Sequence, residues 1–502
     1  MKRLPVGPAI IAIAIVTAAL IYSLAPRGTS SPAAGAEGTP AATQQGATEP
    51  EPTLVNYVGE VLLEPSRGPA GTEVTITGSG LDPNAQLAVI WNTVRGSWVL
   101  KGDANEEFHG REFEPVAREL IGVQTDESGA FSAQFIAPAG HGFNNDVTVE
   151  RDGRLLNKAG FRLDPTVTIE PESGPVGTPI KIRMEGVGWA NLENSWEVTY
   201  DNQFTGLLSS VTTGGIAEAV IPATGSPGKH IIRVVHGSFT VPYLNMEQSP
   251  RPDRPTFTLP FTVTDGPPVL PPEAASQGLA PEAGMPPSGS SALIWADPAA
   301  ARVGDPVSIH GAGLVANSEV VLTWFTVIGN RVGGQGWDEA AEDLARATTD
   351  ANGDFQLELA MPDDLGGPHR IEAAIGGSVV STAHVTITPS AAVLTPASGP
   401  VGTEITIHLK GVGWTETANI YTLNYDNGYL GYACGFNTNG DVVIHLPATG
   451  TPGWHFIDLY PAIYKGKDVP GVQNFRIPQL TYADDHPGER LPAFRFAFEV
   501  TN

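Results

Sequence analysis

Hydrophobic and polar residues alternate in many short runs along this chain. Ile405, Ile407 and Leu409, for example, alternate with polar neighbours between two glycines, Gly402 and Gly411. Alternation with a period of two is typical of a β-strand that buries one face, and glycine or proline at the end of a run is typical of a turn. The pattern therefore predicts an all-β fold of many short strands joined by tight turns.

One kind of segment departs from this pattern. The stretch WDEAAEDLARA at 337–347 is rich in helix-forming residues, and PVARELIG at 115–122 matches it weakly. Residues of this type at helical spacing favour a short amphipathic helix. We therefore expect a small helical insertion on the β scaffold.

The clearest internal signal is a repeated phrase. SGPVGTEITIHLKGVGW at 398–414 recurs as SGPVGTPIKIRMEGVGW at 173–189, and a looser version precedes each of them. Residues 170–230 align with 395–455 at a constant offset of 225 without a gap, and 27 of these 61 positions are identical. Self-similarity at a fixed spacing indicates repeated structural units. The body is therefore predicted to be a duplicated pair, A-B-A′-B′.

Two stretches are too poor in large apolar residues, or too rich in proline, to build a core, and they read as linkers. The predicted order is an N-terminal apolar segment (1–25), a flexible linker (26–54), domain A (55–164), domain B (165–264), a proline-rich linker (265–291), domain A′ (292–388) and domain B′ (389–502).

These motifs carry a family resemblance. The phrase G-P-x-G-T, an alternating strand and x-G-x-G before a large apolar residue resemble the opening of IPT/TIG-type immunoglobulin-like repeats of bacterial extracellular and surface proteins. The phrases TDESGAF (125–131) and TDANGDF (349–355) resemble a later hairpin of such repeats. The resemblance implies four tandem immunoglobulin-like β-sandwiches, used for spacing and binding. Domain A′ departs from the motif, with Arg302 where the proline would stand and Asp305 in place of the threonine.

The N-terminus predicts export. Lys2 and Arg3 precede an apolar run of about nineteen residues, 6–24, which is long for a signal-peptide core and nearly long enough to span a bilayer. A retained anchor would tether the body to the membrane outside the cytoplasm, and a cleaved signal would release it. Both alternatives stay open at this point, and the tether is preferred.

Charge and motif content exclude some functions. Acidic residues number 54 against 28 basic ones, for a formal charge of -26, which disfavours a nucleic-acid partner. No Gly-x-Ser-x-Gly, His-Glu-x-x-His, phosphate loop or dinucleotide loop occurs in the sequence, so we expect no enzyme activity. The single cysteine, Cys434, rules out an intrachain disulfide and is expected to be a small buried side chain.

The best candidate site is a set of aromatic and polar residues that occurs in both B domains. Exposed rings beside Asp and Asn suit a sugar-binding face, because rings stack on a pyranose while amides and carboxylates bind its hydroxyls. The same residues also suit architecture: YDNG is a good hairpin turn with Asn427-Gly428 at positive φ, and both tryptophans are expected to be buried. The candidates are Trp189, Tyr200, Asp201 and Asn202 in B, and Trp414, Tyr425, Asp426 and Asn427 in B′, with His230 and His455 nearby.

A second, weaker candidate is a cation site. Asp350, Asn352 and Asp354 have the alternating oxygen ligands of a calcium loop, but Met361 stands where an EF-hand has its last glutamate. A tight turn accounts for the same residues. We therefore expect no cofactor, with Ca²⁺ as the one candidate.

These features together predict a non-enzymatic cell-surface or secreted protein that acts in adhesion, envelope structure or protein interaction. The expected partner is an envelope or extracellular protein or a glycan, with the membrane added if residues 6–24 are retained. The alternative is a pair of carbohydrate-binding modules that use the aromatic residues of B and B′.

Overall fold

The computed structural model describes residues 56–102, 107–237, 241–248, 254–273, 277, 279, 281, 283–285, 292–330, 336–464 and 476–502. Within them, regular structure consists of 32 strands and two single-turn 3₁₀ helices, Met246–Gln248 and Phe436–Thr438. No helix in this described part is long and apolar enough to cross a membrane. The apolar run at 6–24 lies outside the described residues, so the tether stays a prediction.

Each repeat contributes eight strands in the same order. Domain A comprises β1 (Glu60–Glu64), β2 (Arg67–Gly68), β3 (Glu73–Ser79), β4 (Gln86–Lys101), β5 (Glu107–Gln124), β6 (Phe131–Ile136), β7 (Phe143–Arg151) and β8 (Arg154–Leu163). Domain B comprises β9 (Thr166–Glu170), β10 (Ser173–Gly174), β11 (Pro179–Glu185), β12 (Ser195–Tyr200), β13 (Gln203–Ser209), β14 (Ile216–Pro222), β15 (Gly228–His236) and β16 (Thr256–Val263).

The second half repeats the arrangement. Domain A′ comprises β17 (Leu293–Asp297), β18 (Ala300–Ala301), β19 (Pro306–Ala312), β20 (Glu319–Asn330), β21 (Gly336–Thr348), β22 (Phe355–Ala360), β23 (Gly367–Ile375) and β24 (Ser378–Ile387). Domain B′ comprises β25 (Ser390–Ala391), β26 (Ser398–Pro400), β27 (Glu404–Lys410), β28 (Ile420–Tyr425), β29 (Gly428–Cys434), β30 (Val442–Pro447), β31 (Gly453–Ala462) and β32 (Phe494–Thr501).

All four repeats share one topology. In A, a three-stranded sheet of order β1-β3-β6 faces a five-stranded sheet of order β2-β8-β7-β4-β5, and the other three repeats have the equivalent orders. The short second strand of each repeat joins the five-stranded sheet by parallel pairing with the last strand, while the other ladders are antiparallel. The first two strands of each repeat therefore lie in different sheets. Two packed antiparallel sheets whose N-terminal strand is shared in this way are an immunoglobulin-like arrangement. The predicted fold class, four immunoglobulin-like β-sandwiches in tandem, is confirmed.

Each sandwich encloses its own hydrophobic core. In β27 the buried side chains are Ile405, Ile407 and Leu409, and the residues between them are only partly buried. The alternation in the sequence therefore marks the face that packs between the sheets, as predicted.

The G-P-x-G-T phrase forms the turn that feeds this strand. Gly402 has φ +91°, and the Thr403 hydroxyl donates a hydrogen bond of 2.7 Å to the Pro400 carbonyl. In A′, Asp305 takes the place of the threonine, and its carboxylate accepts a hydrogen bond of 3.3 Å from the Arg302 backbone N–H. A different side chain thus holds the same turn.

The predicted helix at 337–347 is wrong. These residues lie in β21, which pairs antiparallel with β20, and the matching segment at 115–122 lies in β5, which pairs with β4. A long hairpin partner pairs the inward-facing backbone groups along the whole segment, and this outweighs a helix preference of a few tenths of a kcal/mol per residue.

The β4–β5 hairpin extends beyond its sandwich. It is paired from Gln86↔Gln124 to Lys101↔Glu107, whereas β7 pairs with β4 only as far as Asn92. The rest of the hairpin is a two-stranded ribbon, Thr93–Lys101 of β4 paired with Glu107–Val116 of β5, and it is called the A arm here. The β20–β21 hairpin of A′ is built in the same way and is shorter.

The twin glycines of the repeated phrase form the joints between sandwiches. In the A–B joint the Gly142 N–H donates to the Val187 carbonyl at 3.0 Å, and in the A′–B′ joint the Gly366 N–H donates to Val412 at 3.1 Å. A Cβ on Gly142 would lie 1.8 Å from the Gly186 carbonyl oxygen, and one on Gly366 would lie 1.9 Å from that of Gly411. Only glycine lets the two backbones approach this closely.

We expect Gly366→Ala to weaken the A′–B′ joint. The new methyl would overlap the Gly411 carbonyl, so the backbone must shift, and overpacking of this kind costs about 1–3 kcal/mol. Urea unfolding of the full chain, followed by tryptophan fluorescence, should show an earlier first transition.

The matched control is Gly431→Ala, since a Cβ there meets no heavy atom within 4 Å and Gly431 has no positive φ. Equal transition midpoints for the two variants would contradict a steric role for Gly366.

Candidate functional site

The Tyr-Asp-Asn sequence forms the same hairpin turn in both B domains. The turn joins β12 to β13 in B and β28 to β29 in B′. Its central residues have left-handed backbones, with φ 47° and 66° at Asp201 and Asn202, and 48° and 65° at Asp426 and Asn427. Asp and Asn tolerate this conformation better than other residues with a Cβ. The predicted turn is correct, but the central pair is Asp426-Asn427 and not Asn427-Gly428.

The aspartate of each turn binds the next strand and a histidine. In B′, Asp426 Oδ1 accepts the Phe456 N–H at 2.9 Å, and Oδ2 lies 2.5 Å from His455 Nδ1. His455 Nε2 lies 2.8 Å from the Thr451 carbonyl. Both neighbours are acceptors and a neutral imidazole has one N–H, so only the protonated ring donates both hydrogen bonds. Domain B repeats this network through Asp201, His230, Ile231 and Ser226, at matching distances.

The tyrosine of each turn is a structural side chain. Tyr200 and Tyr425 are 3% and 9% exposed, and their rings stack on His230 and His455 with centroids 5.5 and 5.6 Å apart. Each hydroxyl donates at 2.8 Å to a threonine carbonyl across the sandwich. Burial raises the pKa of both phenols, so each stays protonated and donating.

The two tryptophans differ. Trp414 is 7% exposed, whereas Trp189 is 39% exposed and lies beside Phe113 of the A arm, with ring centroids 6.4 Å apart. The loop that follows Trp414 is buried throughout 415–419, while the equivalent loop in B is partly open. The expected burial is confirmed for Trp414 and wrong for Trp189. The four predicted rings therefore form no shared solvent-facing cluster, and sugar binding by this set stays a prediction.

The B′ turn contacts domain B. Asn427 is fully buried, and its amide donates to the Pro222 carbonyl at 2.8 Å and to the Thr224 hydroxyl at 3.1 Å. The Asn424 amide donates to the Thr205 carbonyl at 2.7 Å. In contrast, Asp201 and Asn202 in the B turn are exposed. Asn427 thus lies inside a domain–domain interface, whereas its counterpart Asn202 faces solvent.

A loop of B′ between β31 and β32 closes this interface. Leu207 of β13 pairs with the loop: its N–H donates to the Pro478 carbonyl, and its carbonyl accepts from the Leu480 N–H, both at 2.9 Å. Asp485 accepts from the Ser209 hydroxyl at 2.6 Å and from the Val211 N–H at 2.8 Å. The loop therefore extends the edge of the five-stranded sheet of B and accepts hydrogen bonds from backbone N–H groups of that edge.

The same loop explains an error at Cys434. Cys434 stands at the position equivalent to Ser209, which is fully buried under the B′ loop, whereas Cys434 is exposed. The expected burial of this thiol is wrong. The B′ loop covers Ser209 in the edge strand β13 of B and leaves Cys434 in the equivalent strand β29 of B′ exposed.

The A arm reaches the same junction. Phe108 is fully buried in a cluster with Leu207 of B and with Ile463 and Ile477 of B′. Its backbone N–H donates to a Glu416 carboxylate oxygen at 2.8 Å. Three sandwiches thus meet around one side chain.

A cavity of about 340 Å³ lies between B, the proline-rich linker and B′. Arg495 forms an ion pair with buried Asp458 at its wall, and the linker residue Gln277 hydrogen-bonds both the N–H and the carbonyl of Arg495. Burial raises the pKa of Asp458, and Arg495 opposes that rise. Sequence reasoning missed these residues because no motif surrounds them and they lie far apart in sequence.

The predicted calcium residues form a tight turn. Asp350 Oδ1 accepts the N–H groups of Asn352 at 2.8 Å and Asp354 at 3.0 Å, and these bonds lower the pKa of Asp350. Asp354 in turn accepts the Gly313 N–H. Among the residues that the structure describes, no group of three or more His, Cys, Asp or Glu side chains is placed to hold a metal ion. Calcium binding stays a prediction.

None of the family models and none of the curated proteins compared with this chain matches it. Among solved structures, a Salmonella alpha-2-macroglobulin reacted with methylamine is 10% identical with a TM-score of 0.19, over 88% of this chain and 31% of that chain. A tetra-tandem repeat from the extending region of a large adhesion protein is 12% identical with a TM-score of 0.16, over 86% and 96%. Invasin, a bacterial integrin-binding protein, is 10% identical with a TM-score of 0.17, over 88% and 79%.

The chain spans less than a third of the length of the Salmonella protein. TM-scores this low support no transfer of function, and the fold assignment rests on the strand topology of this chain.

We expect the Asp426–His455 pair to make stability depend on pH. Burial lowers the pKa of His455, but the hydrogen bond and charge of Asp426 outweigh it, so the folded-state pKa lies above the unfolded value. The pair therefore stabilises B′ fully below about pH 6.5, and this stability is lost as pH rises through the folded pKa. Urea unfolding at a series of pH values should show this decline in the parent chain and a smaller one in His455→Gln.

His384→Gln is the matched control, since His384 is an exposed histidine in A′. If His455→Gln and His384→Gln retain the same pH dependence as the parent chain, the pair has no such role.

Proposed function

We propose that this chain is a non-enzymatic, extracytoplasmic protein that acts by protein contact, in adhesion, envelope structure or protein interaction. The observation that carries the proposal is the different environment of the duplicated turn in the two B domains. In B′ the turn binds another immunoglobulin-like domain through Asn427, and in B the same turn faces solvent. A surface that serves as a protein contact inside the chain is suited to serve as one outside it.

Exposed apolar residues on B′ support this proposal. Val401, Leu430, Tyr432 and Val443 are 61%, 62%, 44% and 53% exposed. Leu430 and Tyr432 lie on β29, and their counterparts on β13 of B, Thr205 and Leu207, are fully buried. Exposed apolar side chains grouped on one surface are typical of a binding surface.

The N-terminal sequence supports the location. Lys2 and Arg3 before the apolar run at 6–24 suit export, with the preferred form tethered and the alternative form secreted. The assignment to IPT/TIG-type repeats is part of the same proposal and rests on the G-P-x-G-T phrase.

A carbohydrate-binding role is the second candidate. It is favoured by one observation, the partly exposed Trp189 ring beside Phe113. An indole face of this kind can stack on a sugar ring.

Cys434 offers a test of location, because it is the sole cysteine and is exposed. Intact cells that express the full chain should be labelled at Cys434 by a membrane-impermeant maleimide, and Cys434→Ser should abolish the label. Labelling that appears only after lysis would contradict the extracytoplasmic location.

A bead assay separates the two candidate functions. Beads coated with the full chain should adhere to envelope-bearing cells, and protease treatment of the cells should abolish adhesion while periodate oxidation of glycans should not. Loss after periodate, together with loss in Trp189→Ala, would favour the carbohydrate role. Absence of adhesion under every condition would overturn the contact function.

A further inference from the structure

The loop before the last strand has a common pattern in the two B domains. Residues 477–480 of the B′ loop read IPQL, and residues 241–244 in the loop between β15 and β16 of B read VPYL. Each loop then continues to an acidic residue and an arginine, Glu489-Arg490 in B′ and Asp253-Arg254 in B. Because the domains are duplicates, the two stretches are equivalent, and they are called the B′ segment (477–480) and the B segment (241–244) here.

The B′ segment adds a short strand to the edge of domain B. The Leu207 N–H donates to the Pro478 carbonyl, and the Leu480 N–H donates to the Leu207 carbonyl, both at 2.9 Å. Gln479 thereby pairs with Leu207 in parallel register. The side chains of Ile477 and Leu480 are 7% and 2% exposed and pack among apolar residues of B. Backbone hydrogen bonds fix the register of such an added strand, and its buried side chains supply the apolar contact.

The B segment carries the same backbone groups in a different environment. Its side chains Val241, Tyr243 and Leu244 are 57%, 54% and 85% exposed. Within the described part of the chain, no hydrogen bond involves the backbone of 241–244. The Pro242 carbonyl and the Leu244 N–H correspond to the two groups that bind the edge strand in the B′ segment. Within that part they stay unpaired, beside apolar side chains that face solvent.

We propose that the B segment adds to the edge strand of a β-sheet in a different protein. In this contact the Pro242 carbonyl accepts the N–H of one residue of that strand, and the Leu244 N–H donates to the carbonyl of the same residue. Val241 and Leu244 are buried against apolar side chains beside it, as their counterparts in the B′ segment are. This proposal rests on the proposed contact function and names the chemical character of the partner.

A second copy of this chain is a poor partner for the B segment. The strand that corresponds to β13 is β29, and β29 already packs on β13 within the chain, with the Phe204 and Tyr429 rings 6.1 Å apart. A Cβ on Gly428 would lie 2.2 Å from Oε1 of Gln203. Another B domain could reach this strand only by displacing the one already bound. The partner is therefore another β-sheet protein, whose edge strand offers unpaired N–H and C=O groups to an added strand.

A proline substitution tests the backbone pairing. Leu244→Pro removes the N–H that pairs with the partner's carbonyl and keeps an apolar side chain. Beads coated with this full-length variant should adhere to envelope-bearing cells about tenfold less than beads with the parent chain, because one hydrogen bond is lost and a buried carbonyl stays unpaired. Asn245→Pro is the matched control, since it adds the same ring one residue later and keeps the Leu244 N–H. Its adhesion should equal that of the parent chain.

A charge at the same residue tests the apolar contact. Leu244→Asp should lower bead adhesion at least as much as Leu244→Pro, because the carboxylate would be buried against apolar side chains. Val315→Asp is its control, at a residue 59% exposed in A′, and should leave adhesion unchanged.

Photo-cross-linking on cells identifies what the B segment touches. The full chain carries a benzophenone-bearing phenylalanine in place of Tyr243, and the cross-linked peptide of the partner should come from an edge strand of a β-sheet. Cross-links to a helix, to a glycan or to a second copy of this chain would overturn the proposal.

The possible failures are distinguishable. If the parent chain adheres and both Leu244 variants adhere equally well, strand addition by the B segment is rejected and the contact function stands. A loss in Leu244→Asp without a loss in Leu244→Pro would also reject it, since the contact would then not use the backbone. Absence of adhesion by the parent chain would overturn the proposed function together with this partner.

Discussion

Close approach of two backbones at the twin glycines is the constraint on which the rest of this structure depends. At each joint a glycine of one sandwich lies against a glycine carbonyl of the next, with no room for a Cβ. Backbone hydrogen bonds from Gly142 and Gly366 hold the contact. Because both partners are backbone, the joint is the same in the two halves although most side chains around it differ. The repeated phrase is therefore architecture, and its glycines connect domains as well as ending strands.

Duplication followed by packing gives identical residues different environments. Asn427 is buried and Asn202 is exposed, and the same division separates Ser209 from Cys434 and Trp414 from Trp189. For Asn427 and Asn202, and for Ser209 and Cys434, the cause is the contact of B′ with B, whose B′ loop covers one of two equivalent edge strands. Local sequence thus nearly determines the fold of each sandwich, but it does not determine which of its surface residues are covered by another domain.

This division decides what could be predicted. Strand periodicity and the turn at Gly402 depend on residues that are neighbours in sequence, and the duplication is visible by comparing two stretches of the chain. The sandwiches could therefore be predicted from the sequence. The helix at 337–347 was wrong because its preference was local, whereas β20 offered a full ladder of partners. The burial of Asp458 with Arg495, and of Phe108 among three domains, depends on residues far apart in sequence, and no spacing signals them.

The Tyr-Asp-Asn turn shows how a structural motif can carry a second role. Tyr200 and Asp201 are accounted for inside domain B, since they bind the Thr224 backbone and His230. Asn202 needs only its positive φ for the turn, and glycine would satisfy that need without an amide. In B′ the equivalent amide makes two hydrogen bonds across an interface. In B′ the amide is therefore the part of the turn that acts outside the sandwich that carries it, whereas in B the equivalent amide faces solvent.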